Sequence, residues 1–227
     1  MALKTKIQIV GCGPGAPECL TAAALSAIEN AEVLVGARRL LDLFLRPNSK
    51  FKIQNSKLMD SIPRISVGAN IPKALGEIAA QRALGRRVVV LVTGDPGICS
   101  LAQPVIRRFG LDACEIVPGI SSLQVAFARV GLDWLNARFL SAHAGDPEAA
   151  PNEFHNAEKI AILAGRDGAL AWIANFAAAL KPARRAVVCE NLTLPDERIR
   201  EVEISELAAL KTSSSTLVLL LKKDTLA

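Results

Sequence analysis

Apolar residues along this chain come in short unbroken runs, separated by longer stretches with a helical period. The runs are KIQIV (6–10), EVLV (32–35), VVVLV (88–92), IAIL (160–163), AVVC (186–189) and TLVLLL (216–221). Several are apolar at every position, which suits strands covered on both faces, whereas a half-exposed strand would alternate. Between them LTAAALSAIENA, NIPKALGEIAAQRALG, SLAQPVIRRFG, SSLQVAFARVG and GALAWIANFAAALK read as helices. In the second of these Ile71, Leu75, Ile78 and Ala79 fall on one face, and Gly85 stands where the helix would be capped. Strand and helix alternate through both halves, which predicts an α/β protein with parallel or mixed sheets. A break is expected near IVPGISS, where Pro118 and Gly119 end a short strand and Ser121 or Ser122 can cap the next helix. This divides the chain into residues 1–117 and 118–227, and AHAGDPEAAPNEFHN is expected to be a surface loop of the second part.

Composition narrows the class. With 227 residues, 51% of them hydrophobic, the chain can bury a large core. No apolar run approaches the roughly 20 residues that a bilayer span needs. The first residues pass directly into a strand pattern without a signal-type segment, so a cytoplasmic protein with no membrane partner is expected. The 5 cysteines are odd in number and contain no C-x-x-C pair, which points to reduced thiols. His143 and His155 fall in no metal-binding spacing, so no protein-held metal is expected, and His143 is read as a structural histidine. The net charge of +5 suits an acidic partner. Nucleic acid is disfavoured, because only 4% of residues are aromatic, tyrosine is absent, and lysine and arginine are dispersed.

Candidate chemistry begins at VGCGPGAPECLT, where glycines and prolines follow the first strand. A triphosphate loop would need G-x-x-x-x-G-K-[ST], and no lysine follows. A dinucleotide turn is compatible with Gly11, Gly13 and Ala16, and Arg38 and Arg39 past the second strand would suit the 2′-phosphate of NADP. Against it, Pro14 and Pro17 keep the segment in a longer loop and delay the helix to about residue 18. The remaining readings are a rigid loop that admits a ligand close to its backbone and a purely structural loop. The layout recurs as TGDPG (93–97) after the VVVLV strand and as PGISS (118–122) soon after. In open α/β sheets such strand ends border the ligand crevice.

The ordered set GCGPG, TGDPG, PGISS and CENLTLPDER resembles the tetrapyrrole methylases over essentially the whole chain. Within that family VLVGARRLL, GISSLQVAFARVGLDW and LSAHAG are most similar to the branch that methylates carbon 5 of the precorrin-7 ring or its cobalt form. The resemblance implies a two-domain α/β fold with S-adenosylmethionine in a cleft between the domains. It also implies a homodimer, and a possible fusion to, or association with, a C15-methylating decarboxylase module. Carried over position by position, Gly94, Asp95, Pro96, Gly97 and Ile98 match the cofactor loop. Ser121 and Ser122 match the hydroxyl pair beside the methionine part, and Ala164, Asn191 and Leu192 match the adenosine side. Gly13, Pro14 and Gly15 match the tetrapyrrole side, where Arg38 and Arg39 are candidates for the substrate carboxylates. Asp95 equally suits capping of its own turn.

No nucleophile and base pair stands out, which fits transfer of an already activated methyl group. Three other readings stay open: a methylase of the same fold acting on RNA, an NADP-binding oxidoreductase, and a non-catalytic tetrapyrrole carrier.

Overall fold

The structure is a computed structural model, and it describes residues 5–43, 62–68 and 70–222. It divides into two compact units, Met1–Ser121 and Ser122–Ala227. The division falls after Ser121, so the Pro118–Gly119 turn belongs to the first unit and not to the head of the second. The reason is packing: Gly119 lies against the backbone of Gly11 and Gly94.

The first unit is a parallel sheet of β1 (Ile7–Gly11), β2 (Val33–Gly36), β3 (Arg64–Ser66), β4 (Val88–Val92) and β5 (Cys114–Val117), in the order β3-β2-β4-β1-β5. Helices α1 (Ala22–Glu29) and α2 (Arg38–Leu43) cover one face, burying Ile28, Leu40 and Leu41 against Val10, Leu34 and Leu91. Helices α3 (Ile71–Ala83) and α4 (Ala102–Phe109) cover the other, burying Ile78 and Val105 against Ile9, Val35 and Val90. This double cover is why β4 is buried at every position and reads as an unbroken apolar run. Each fully buried aliphatic side chain contributes roughly 1.5–3 kcal/mol.

Helix α3 starts where Asn70 Oδ1 accepts the Lys73 N–H at 2.9 Å and stops before Gly85, which takes φ +77°. Its buried positions are Ala74 and Ile78; Ile71, expected on the core face, is 38% exposed.

The second unit is a mixed sheet in the order β6-β7-β10-β8-β9. Its strands are β6 (Arg138–Ser141), β7 (Lys159–Leu163), β8 (Arg184–Glu190), β9 (Arg198–Val202) and β10 (Thr216–Lys222). Only the β6–β7 pair is parallel. Helix α5 (Ser122–Arg129) lies against β10, and α6 (Ala169–Ala179) packs Ile173 and Phe176 onto Ile162, Val188 and Val218. No helix among the described residues is long and apolar enough to cross a membrane.

Candidate functional site

β1, β4 and β5 are neighbours in a parallel sheet, so the loops leaving their carboxyl ends start side by side. They meet through the backbone. Gly13 N–H donates to Gly94 O at 3.3 Å, and Gly94 N–H returns the bond to Gly13 O at 2.8 Å. Both glycines have positive φ, 74° and 68°, which a side chain would resist. A Cβ on Gly11 would stand 2.6 Å from Gly119 N, and one on Gly119 would stand 2.4 Å from Gly94 O. Only bare backbone lets the three loops approach this closely.

Asp95 closes the junction. Its Oδ1 accepts the Gly97 N–H at 2.8 Å and its Oδ2 accepts the Gly119 N–H at 3.0 Å. The turn cap that the sequence allowed for Asp95 is present, extended by a bond to the loop after β5. Pro96 is buried and its carbonyl accepts the Ser100 hydroxyl at 2.6 Å, while Ser100 Oγ accepts the Ala102 N–H at 3.1 Å at the start of α4. Ile98 is half-buried and donates its N–H to Asp95 O at 3.2 Å. Gly97 is exposed, and a Cβ there would meet nothing within 4 Å except Asp95 Oδ1 at 2.9 Å. The turn is therefore fixed from beneath and open on its outer side. Backbone fixed on one side and open on the other can admit a ligand bound through main-chain groups.

The opening loop differs in one respect from its sequence reading. A short 3₁₀ turn (Pro17–Cys19) intervenes, and α1 begins only at Ala22, with Thr21 Oγ1 accepting the Ala24 N–H at 3.1 Å. The helix starts later than residue 18 because Pro17 opens the tighter turn first. No helix N-terminus stands at the glycines, so the geometry of a dinucleotide turn is absent. Pro14 and Gly15 are half-buried. Cys12 is buried beside them, and burial pushes its thiol up to about 12.

Both arginines of the basic pair are exposed on α2. Arg39 Nη2 donates to Thr93 Oγ1 at 3.0 Å, which brings the basic pair to the residue that opens the β4 loop. Arg38 is exposed beside it.

In the second unit Ala164 follows β7 and donates its N–H to Thr216 O at 2.9 Å. Ala164 and Leu192 are only 2% and 4% exposed, buried as whole residues. Ser121 is buried at the end of the first unit, and half-buried Ser122 opens α5. Asn191 is half-buried with φ +50°. His143 is exposed, contrary to the expectation of a structural histidine, because its segment runs beyond the end of the edge strand β6.

Several residues escaped the sequence reading. Gly11 and Gly119 carry the tightest contacts of the junction, yet they were legible only as loop glycines. At Gly165 a Cβ would collide with Ser214 O; a glycine two residues past the IAIL strand was the available signal. Glu197 lies within the CENLTLPDER motif, but nothing in the order of residues assigns it a partner. Its carboxylate accepts Arg129 Nε at 2.7 Å and the Thr193 N–H at 2.5 Å, and the Arg129 bond is the main reason its pKa is held below the ordinary value.

Comparison with known proteins bears on the family and the fold. The sequence profile of the tetrapyrrole (corrin/porphyrin) methylases matches residues 6–208. The chain is 30% identical over 204 residues to the cobalt-precorrin-7 C(5)-methyltransferase of Salmonella typhimurium, covering 89% of this chain and 93% of that one. It is 28% identical to a probable cobalt-precorrin-7 C(5)-methyltransferase of Methanocaldococcus jannaschii, over 89% of this chain and 91% of the relative. Among solved structures, the precorrin-6Y methylase of Archaeoglobus fulgidus superposes with a TM-score of 0.67 at 29% identity, covering 96% of this chain and 98% of that one. The fold is also that of the uroporphyrin-III C-methyltransferase of Thermus thermophilus, solved with S-adenosylhomocysteine, at a TM-score of 0.74 and 21% identity over 96% of this chain and 97% of that one. With the profile spanning both units, and relatives matched over nearly their full length, this chain belongs to the tetrapyrrole methylases.

Proposed function

We propose that the protein is an S-adenosylmethionine-dependent C-methyltransferase that acts on carbon 5 of precorrin-7 or its cobalt form. The observation that carries this reading is the loop junction at the carboxyl ends of β1, β4 and β5, with Gly97 open on its outer side while Asp95 fixes the turn from within. The names of the relatives that match over most of both chains supply the ring position.

S-adenosylmethionine supplies a methyl group on a positively charged sulfur, which is already activated for transfer. The protein's task is then to align and to exclude water. Holding two reactants in line lowers a barrier by roughly 7–11 kcal/mol, so the scheme needs no nucleophile from the protein. Gly94, Pro96, Gly97 and Ile98 would hold the cofactor through backbone groups, with Ser121 and Ser122 beside its methionine part. Ala164, Asn191 and Leu192 would offer backbone to adenosine. Gly13, Pro14 and Gly15 would border the macrocycle, and Arg38 would take a rim carboxylate through a charged, bidentate bond. Arg39 shares its guanidinium with Thr93, so its part in substrate binding is linked to the β4 loop.

The test is calorimetry of the full chain with S-adenosylhomocysteine, NADPH and a short structured RNA, followed by incubation of precorrin-7 with methyl-¹³C S-adenosylmethionine. Heat from S-adenosylhomocysteine alone, and label at carbon 5, are expected. Binding of NADPH or RNA in its place, or label on another ring carbon, would overturn the reading.

A further inference from the structure

The loop after β8 is held in a shape that its own residues resist. Asn191 and Thr193 both lie in the left-handed region, at φ +50° and +70°. Asparagine visits this region with some ease, but threonine is β-branched and its Cβ crowds the backbone there. Such conformations persist only where the surroundings over-determine them.

The surroundings here are two carboxylates from the same loop. Glu197 Oε2 accepts the Thr193 N–H at 2.5 Å, and the carboxylate is gripped from the other side by Arg129 of α5, at 2.7 Å to Oε1 and 3.3 Å to Oε2. Asp196 Oδ2 accepts Asn191 Nδ2 at 2.7 Å. The backbone adds Asn191 N–H to Ser215 O at 3.0 Å, Leu194 N–H to Asn191 O at 2.9 Å and Glu197 N–H to Leu194 O at 2.9 Å. Leu192, between the two left-handed residues, is buried and anchors the loop from inside. A glycine at position 193 would reach the same φ without help, but it would also let the loop leave it.

We propose that Glu197 is a positioning residue of the cofactor site: by holding Thr193 left-handed against Arg129 it fixes the backbone of Asn191 and Leu192 for the adenosine part of the ligand. The inference rests on the cofactor reading proposed above. Glu197 acts through Thr193 and touches no reacting atom.

The experiment compares S-adenosylhomocysteine affinity by calorimetry, and amide exchange of residues 193 and 194 by NMR, in the full-length chain and its variants. Glu197→Ala should speed exchange at both amides and weaken the ligand by about tenfold or more, as expected for a binding shape that is no longer the populated one. Adding Thr193→Gly to that variant should recover part of the lost affinity, about threefold or more, because glycine reaches the left-handed conformation at no steric cost although nothing then holds it there. Glu197→Gln, which keeps an acceptor for the Thr193 N–H, should bind within about threefold of the wild type and serves as the second variant if the alanine protein does not fold. A loss that Thr193→Gly fails to recover would overturn the proposal, because Glu197 would then serve only the stability of its unit. So would a glutamine variant as weak as the alanine one. Wild-type binding with an unaffected Glu197→Ala would overturn this inference alone, whereas a wild type that binds no S-adenosylhomocysteine would take down the cofactor reading together with it.

Discussion

The loop junction of the first unit and the β8 loop of the second both hold backbone in shapes that ordinary residues avoid, and they do so with opposite chemistry. At the junction itself the difficult positions are glycines: Gly13 and Gly94 take positive φ, and Gly11 and Gly119 pass within contact of neighbouring backbone, while Cys99 at φ +43° lies further along the β4 loop. The conformation costs little there, and one carboxylate, Asp95, suffices to tie the loops. In the β8 loop the left-handed positions are Asn191 and Thr193, and side chains from Asp196, Glu197 and Arg129 hold the shape. Glycine makes a shape possible and leaves its choice to the surroundings. A propped threonine makes the shape depend on the prop, so the loop can be released by changing one carboxylate.

The largest effect is expected where glycine permits contact between loops. Gly119→Ala would place a Cβ 2.4 Å from Gly94 O and 2.8 Å from the Cα of Gly11, all of it backbone that cannot swing aside. A loss of about 3 kcal/mol or more in urea unfolding is expected, at or beyond the upper end of ordinary overpacking. Gly97→Ala meets only the end of the Asp95 side chain and should cost far less. If the two substitutions proved equally mild, the junction would not be the close-packed element described above.

Removal of the tie comes next. Asp95→Ala deprives the Gly97 and Gly119 N–H groups of their charged acceptor, and hydrogen bonds to charged groups are worth about 1.5–3 kcal/mol each when well shielded. Because the Gly97 bond is exposed, the lower figure is expected for the pair, read as a shift in the urea midpoint together with weaker S-adenosylhomocysteine binding. Unchanged stability would mean that the backbone pair between Gly13 and Gly94 holds the loops without Asp95.

The smallest effect concerns acid. The Arg129 bond, and after it the Thr193 N–H, hold the Glu197 carboxyl below its ordinary value of 4.5 in the folded protein. A carboxyl with a depressed folded pKa stabilises the fold above its unfolded pKa and loses that contribution as pH falls through the folded one. The Arg129 side of the pair is 45% exposed, so the whole contribution should stay under about 1 kcal/mol. Glu197→Gln should therefore lower stability slightly at neutral pH and converge with the wild type once the pH has dropped well below 4.5, as followed by thermal melts. Curves that run parallel through that range would remove Glu197 from the acid response.

Amino-acid order alone determined the α/β class, five of the six described α-helices and the interior strands, because these depend on burial and local spacing, whereas the family rested on the resemblance of the ordered motifs GCGPG, TGDPG, PGISS and CENLTLPDER. A strand covered on both faces must be apolar throughout, and β4 and β10 are legible for that reason. Strands β3, β6 and β9 were not, because each lies at a sheet edge and carries exposed polar residues such as Arg64, Arg138 and Arg198. TGDPG was readable as a turn, since glycine and proline constrain the backbone where they stand. Tertiary structure decided what Asp95 holds within the protein: its bond to the Gly119 N–H exists because the sheet order brings the loop after β5 beside it. The same holds for Glu197, which in sequence is one position of the CENLTLPDER motif with no assigned partner until α5 sets Arg129 against it and the loop folds Thr193 back onto its carboxylate. Covalent neighbours fix what a residue can adopt, and only the packed chain supplies the partner that makes one of those options pay.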